Sequence, residues 1–118
     1  MIPIGKPLIG DEEKKAVMDV LDSGMIASGS VVHAFENEFA EYIGAKACIA
    51  TTSGTTALEV GLRALGIGPG DKVLTTPFSF IASTNSILYT GADAVFADID
   101  PRTFNLSAEA VEKALQEN

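Results

Sequence analysis

Three short apolar runs, ACIAT (47–51), KVLTT (72–76) and AVFAD (94–98), constrain the fold more than any other feature of this chain. Their starts lie 25 and 22 residues apart, and each gap holds a segment of helical character, TALEVGLRAL and then FIASTNSILYT. Parallel strands need a crossover of a dozen or more residues, usually a helix. The spacing therefore predicts βαβ units: an α/β chain whose partial, mainly parallel sheet has flanking helices. GIGPGD (66–71) and IDPRT (99–103) read as turns, and Ser107 as the N-cap of a last helix, AEAVEKALQEN.

The sequence before the first run has a different rhythm. Residues 1–10 read as extended, since Pro3 and Pro7 discourage a helix. DEEKKAVMDVLDSG opens with acids, carries an apolar stripe (Ala16, Val17, Val20, Leu21) and stops at Gly24, which predicts a helix from Asp11. A second helix is expected from about Val31 to Ile43, with Val32, Phe35 and Phe39 at helical spacing and Gly44 as its stop. Residues 1–46 thus form a helical N-terminal segment, and 47–118 the start of an α/β sheet. Three parallel strands leave open edges, and the final helix runs to Asn118 without a closing glycine. The expectation is an incomplete N-terminal part of a larger domain.

A net charge of −8 with scattered basic residues argues against a nucleic-acid surface, where Lys and Arg must cluster. No apolar run approaches a membrane span, and MIPIGKPLIG is unlike a signal peptide, so a soluble, cytoplasmic protein is expected. A single cysteine excludes an internal disulfide and a Cys-rich metal site. Cys48, inside an apolar run, reads as a buried, inert thiol. His33 reads as a surface histidine without a partner.

TTSGTT (51–56) lies where a strand should hand over to a helix, the end of an open α/β sheet at which ligands bind. Two readings fit. The hydroxyls could simply cap the helix. Alternatively, its unpaired N–H groups, with Gly54 and the hydroxyls of Ser53, Thr55 and Thr56, could cradle a phosphate. A P-loop is excluded because no lysine follows Gly54, and GIGPG sits at the other side of the sheet. From the residues alone, Phe80 reads as a core side chain.

The stretch TTSGTTALEVGLRALGIGPGDKVLTTPFSFIASTNSILYTGADAVFADIDPRTFNL resembles the DegT/StrS-type sugar aminotransferases, pyridoxal-phosphate enzymes of the aspartate-aminotransferase fold (fold type I). GKPLIGDEE, VLDSGMIASGS and FENEFAEYIGAK match in the same order, so the likeness runs through the whole chain. It implies the N-terminal part of the cofactor-binding large domain. Gly54, Thr55 and Thr56 would hold the cofactor phosphate, with Ser53 beside them, and Phe80 would stack on the pyridine ring. MIASGS (25–30) matches a segment near the sugar in relatives, with Met25 and Ser30 where many have Trp and Pro. The implied reaction carries an amino group from an amino acid, glutamate, to a nucleotide-linked keto sugar, in a homodimer. Regulatory and dehydratase-like members of the family are the alternative.

Asp98 and Asp100 resemble the family's acidic turn after the third strand and read as turn formers rather than acid–base or metal groups. The Schiff-base lysine is expected beyond Asn118: none of Lys6, Lys14, Lys15, Lys46, Lys72 and Lys113 stands in the family's catalytic context. Residues 1–118 alone are expected to be inactive.

Overall fold

The computed structural model describes residues 5–117. The chain divides between Ala50 and Thr51 into two compact units.

The first unit carries helices α1 (Asp11–Ser23) and α2 (Ser30–Ile43). Both end on glycines in the left-handed region, Gly24 at φ 71° and Gly44 at φ 69°, where a side chain would strain the backbone. Three acids fill the first turn of α1, and the Glu13 carboxylate accepts the Gly10 N–H at 2.6 Å. Val17, Val20 and Leu21 of α1 line an apolar groove with Ile26 and Val31. Residues 5–10 are irregular, as expected; Pro3 lies outside the described residues. His33 is exposed but not alone, because its Nδ1 lies 3.2 Å from Glu36 Oε2, one helical turn on. The other Glu36 oxygen accepts the Ala50 N–H at 2.8 Å. These bonds hold the Glu36 carboxyl below its ordinary range, the Ala50 N–H contributing most.

The expected strand at 47–51 is absent. Among the described residues no strand pairs with it, and Ile49 is 77% exposed. A strand exists only through its ladder, and the Ala50 N–H is taken by a side chain instead. Cys48 is consequently half-buried rather than buried.

In the second unit, α3 (Gly54–Ala64) leads to β1 (Lys72–Thr75), α4 (Ala82–Thr90), β2 (Asp93–Phe96) and α5 (Ala108–Glu117). The strands pair in parallel, Val73 opposite Ala94 and Leu74 opposite Val95, so the βαβ expectation holds with two strands rather than three. Helix α4 starts two residues later than its pattern suggested, because a turn donating the Ser83 N–H to the Phe80 carbonyl precedes it. Asn118, at the expected end of α5, lies outside the described residues.

Among the described residues, the buried side chains of this unit are Ala82, Ser86, Ile87 and Thr90 of α4, then Ala92, Ala97 and Ala114, all small except Ile87. The buried hydroxyls bond their own helix, Ser86 Oγ to the Ser83 carbonyl and Thr90 Oγ1 to that of Ile87, so neither is left unsatisfied. At the end of α4, Gly91 (φ 87°) lies so close to Pro69 that a Cβ there would sit 3.0 Å from Pro69 Cγ. The Arg63 guanidinium ties α3 to this corner by donating to the Tyr89 carbonyl.

After β2, the Ile99–Leu106 bridge closes a tight loop. Asp100 accepts the N–H groups of Arg102 (2.8 Å) and Thr103 (3.1 Å), and these bonds hold its carboxyl below the ordinary 3.8. This bears out the turn reading, and the loop hands over to α5 with Ser107 Oγ accepting the Ala110 N–H. A depressed carboxyl stabilises the fold above its unfolded pKa and loses that contribution as pH falls through the folded value. The loop at 99–106 is therefore expected to hold at neutral pH and to loosen only as pH falls below 3.8. Amide exchange at Arg102 and Thr103 followed against pH measures this; loosening at pH 5 would contradict it.

Candidate functional site

The hydroxyl-rich turn resolves into a defined hydrogen-bond system at the start of α3. Ser53, in extended conformation, is the N-cap, and its Oγ accepts the Thr56 N–H at 3.2 Å. The same oxygen lies 2.9 Å from Thr56 Oγ1, which also lies 3.3 Å from Thr52 Oγ1. The Thr51 hydroxyl donates to the Ser53 carbonyl at 3.0 Å. Ser53 and Thr56 are thus brought together, and Thr52, not singled out by the sequence reading, joins them. Its signal was the four-residue spacing to Thr56, which places both hydroxyls on one side of the turn.

The cap leaves part of the helix end open. The first intrahelical bond runs from the Ala57 N–H to the Ser53 carbonyl. Gly54 and Thr55, three and two residues earlier, have no helical carbonyl a turn behind them to receive their N–H groups. No acid stands in the first turn of α3, and Glu59 is drawn away by Arg63 at 3.0 Å. The positive end of this helix dipole is therefore uncompensated by any carboxylate of its own first turn. A Cβ on Gly54 would meet nothing within 4 Å, so the packing of the chain itself makes no demand for glycine there. These features suit an anionic group such as a phosphate: two open N–H donors, adjacent hydroxyls and free space over Gly54.

Phe80 does not enter the core. It is 77% exposed, and among the described residues it stacks on no other ring. It follows a loop in which Phe78 donates its N–H to Thr76 Oγ1 at 3.1 Å and stacks on Phe104, with centroids 5.7 Å apart and planes 24° from parallel. Among the described residues, no group of three or more His, Cys, Asp or Glu side chains could hold a metal ion, and no helix is long and apolar enough to cross a membrane.

The chain is similar to known proteins over nearly its whole length. The chain is 46% identical over 114 residues to the spore coat polysaccharide biosynthesis protein SpsC of Bacillus subtilis, covering 97% of this chain and 29% of SpsC. It is 45% identical to the GDP-perosamine synthase of Caulobacter vibrioides, over 94% of this chain and 30% of that protein. Among solved structures it superposes on Spr1654 of Streptococcus pneumoniae with a TM-score of 0.89 at 34% identity, covering 96% of this chain and 29% of the PLP-form. A PMP-form of that protein matches equally well. The chain therefore spans under a third of the length of these relatives. Residues 7–118 match the model of the DegT/DnrJ/EryC1/StrS aminotransferase family, and the chain belongs to that family.

Proposed function

We propose that the full-length protein carrying this chain is a pyridoxal-phosphate-dependent aminotransferase that moves an amino group from an amino acid, glutamate, to a nucleotide-linked keto sugar, working as a homodimer. In this reading, residues 1–118 supply the N-terminal part of the cofactor-binding large domain. The observation that carries it is the open α3 N-terminus, with unclaimed N–H groups at Gly54 and Thr55 beside the Ser53–Thr56 hydroxyl pair. Family membership supports the cofactor phosphate as the anion held there. The 45% identity to a GDP-perosamine synthase supports a nucleotide-linked sugar as acceptor.

Gly54 and Thr55 would bind the phosphate through the backbone, and Ser53 and Thr56 through their hydroxyls. Phe80, exposed and without a ring partner, would lie against the pyridine and set its tilt. The cofactor, when bound, supplies the electron sink for amino-group exchange. The lysine that carries it lies outside residues 1–118.

Borohydride treatment of the full-length protein loaded with pyridoxal phosphate tests this. Intact mass and peptide mapping should show one pyridoxyl group fixed to a lysine beyond residue 118. Tight cofactor binding without a fixed lysine adduct would reject amino transfer and favour a dehydratase-like or regulatory protein.

A further inference from the structure

Among the described residues, Phe104 is the one non-glycine residue at positive φ, 59°. For a bulky side chain this left-handed conformation is strained, and such strain persists only where surrounding structure over-determines it. Two contacts hold it. The Phe104 N–H donates to the Asp100 carbonyl at 2.8 Å, and the ring stacks on Phe78. The first would serve any residue, glycine best of all. The second needs an aromatic ring, and Phe78 stands two residues before Phe80.

Loop 76–81 has little else to fix it. Its other bonds are local: the Phe78 N–H to Thr76 Oγ1, the Ser79 and Ser83 hydroxyls 3.1 Å apart, and the Ser83 and Asn85 N–H groups to the Phe80 and Ile81 carbonyls, all within the loop or to the start of α4. The loop around Phe104, by contrast, is firmly built: the Ile99–Leu106 bridge, the Asp100 carboxylate on two amides and the Asp100 N–H on the Asn105 carbonyl. A rigid turn thus holds a ring against a loop whose own bonds are all local.

We propose that Phe104 is a positioning residue: by stacking on Phe78 it anchors loop 76–81 and fixes where Phe80 presents its exposed ring. The inference extends the cofactor reading above, because the ring so presented is the one that would lie on the pyridine. Phe104 itself touches neither cofactor nor substrate.

Two variants separate this from a merely structural turn. Phe104→Gly removes the ring and relieves the strain; Phe104→Tyr keeps the ring. In full-length protein without added cofactor, hydrogen exchange of a peptide covering 78–81 should speed up in Phe104→Gly and stay at the wild-type rate in Phe104→Tyr. With pyridoxal phosphate, Phe104→Gly should bind about two- to tenfold more weakly, the worth of an aromatic pair, and alter the visible circular dichroism of the bound cofactor. Phe104→Tyr should restore both. Melting temperature should not fall in Phe104→Gly, whereas a structural role for the ring predicts a fall with unchanged cofactor affinity. Unchanged exchange at 78–81 in Phe104→Gly overturns the proposal whatever the cofactor does. Faster exchange in a protein that takes up no pyridoxal phosphate would uphold the anchoring and reject the cofactor reading instead.

Discussion

Alanine at both Thr55 and Thr56 should weaken the affinity of the full-length protein for pyridoxal phosphate by at least about tenfold while leaving its melting temperature nearly unchanged. The cap explains why the two effects separate. Ser53 Oγ, not a threonine, accepts the capping N–H, and the donor is the Thr56 backbone, which alanine retains. The double variant therefore removes hydroxyls without uncapping α3, and alanine is the better helix former. Hydrogen bonds to a charged acceptor are worth roughly 1.5–3 kcal/mol each, and 1.4 kcal/mol is a decade of affinity. Ser53→Ala is the complementary case. It should cost about 0.5–2 kcal/mol of stability as a lost cap, and affinity as well. Titration with the cofactor alongside thermal melting reads both quantities. Wild-type affinity in the threonine double variant would show the hydroxyls to be structural only.

Ile87→Ala should be the most damaging single truncation in the second unit, at about 2–5 kcal/mol, with Ile87→Val intermediate at about 0.5–1.5 kcal/mol. Ile87 is 2% exposed on α4 and, among the described residues, is the one large aliphatic side chain buried in a unit whose other buried side chains are alanine, serine and threonine. It lines an apolar groove with Leu58 and Leu62 of α3 and Val73 and Leu74 of β1, so it joins both helices to the sheet. Leu58, Leu62 and Leu74 flank the same groove, so how far they collapse into the space it would leave sets where in the range the cost falls. Urea denaturation of the full-length protein and both variants measures the series. A loss below about 1 kcal/mol for alanine would mean that the packing around Ile87 relaxes freely, contrary to this account.

How much of this could be read from the residues depended on how local each feature is. Helix α2 was legible because Val32, Phe35 and Phe39 repeat at helical spacing and Gly44 ends the pattern. The parallel pairing of 72–75 with 93–96 followed from crossover length. ACIAT carried the same composition as those strands, yet composition cannot supply a ladder partner, and its Ala50 N–H goes to Glu36, fourteen residues away. The His33–Glu36 pair is legible only once both residues are put on one helix, where a three-residue spacing brings the side chains together. In the turn, hydroxyl content pointed to the place but not to the roles. Which oxygen accepts which N–H is settled by backbone geometry, and that made Ser53 the cap. Phe104 was invisible because the left-handed region is expected of glycine or asparagine, and Asn105 stands next to it.

The alanine-rich interior of the second unit has a consequence for how its sequence can drift. Ala82, Ser86, Ala92 and Ala97 are all buried, and larger side chains there would have to force apart helix and sheet at about 1–3 kcal/mol each. Smaller ones barely exist: below alanine only glycine remains, with its cost in backbone freedom, and alanine at Ser86 would give up the bond to the Ser83 carbonyl. Neutral change is therefore closed in both directions at these positions, while the exposed faces of α3 and α5 stay open to it. Homologues can diversify around this unit without altering its internal volume, so the hydroxyl turn before α3 can keep its shape while the surface around it changes.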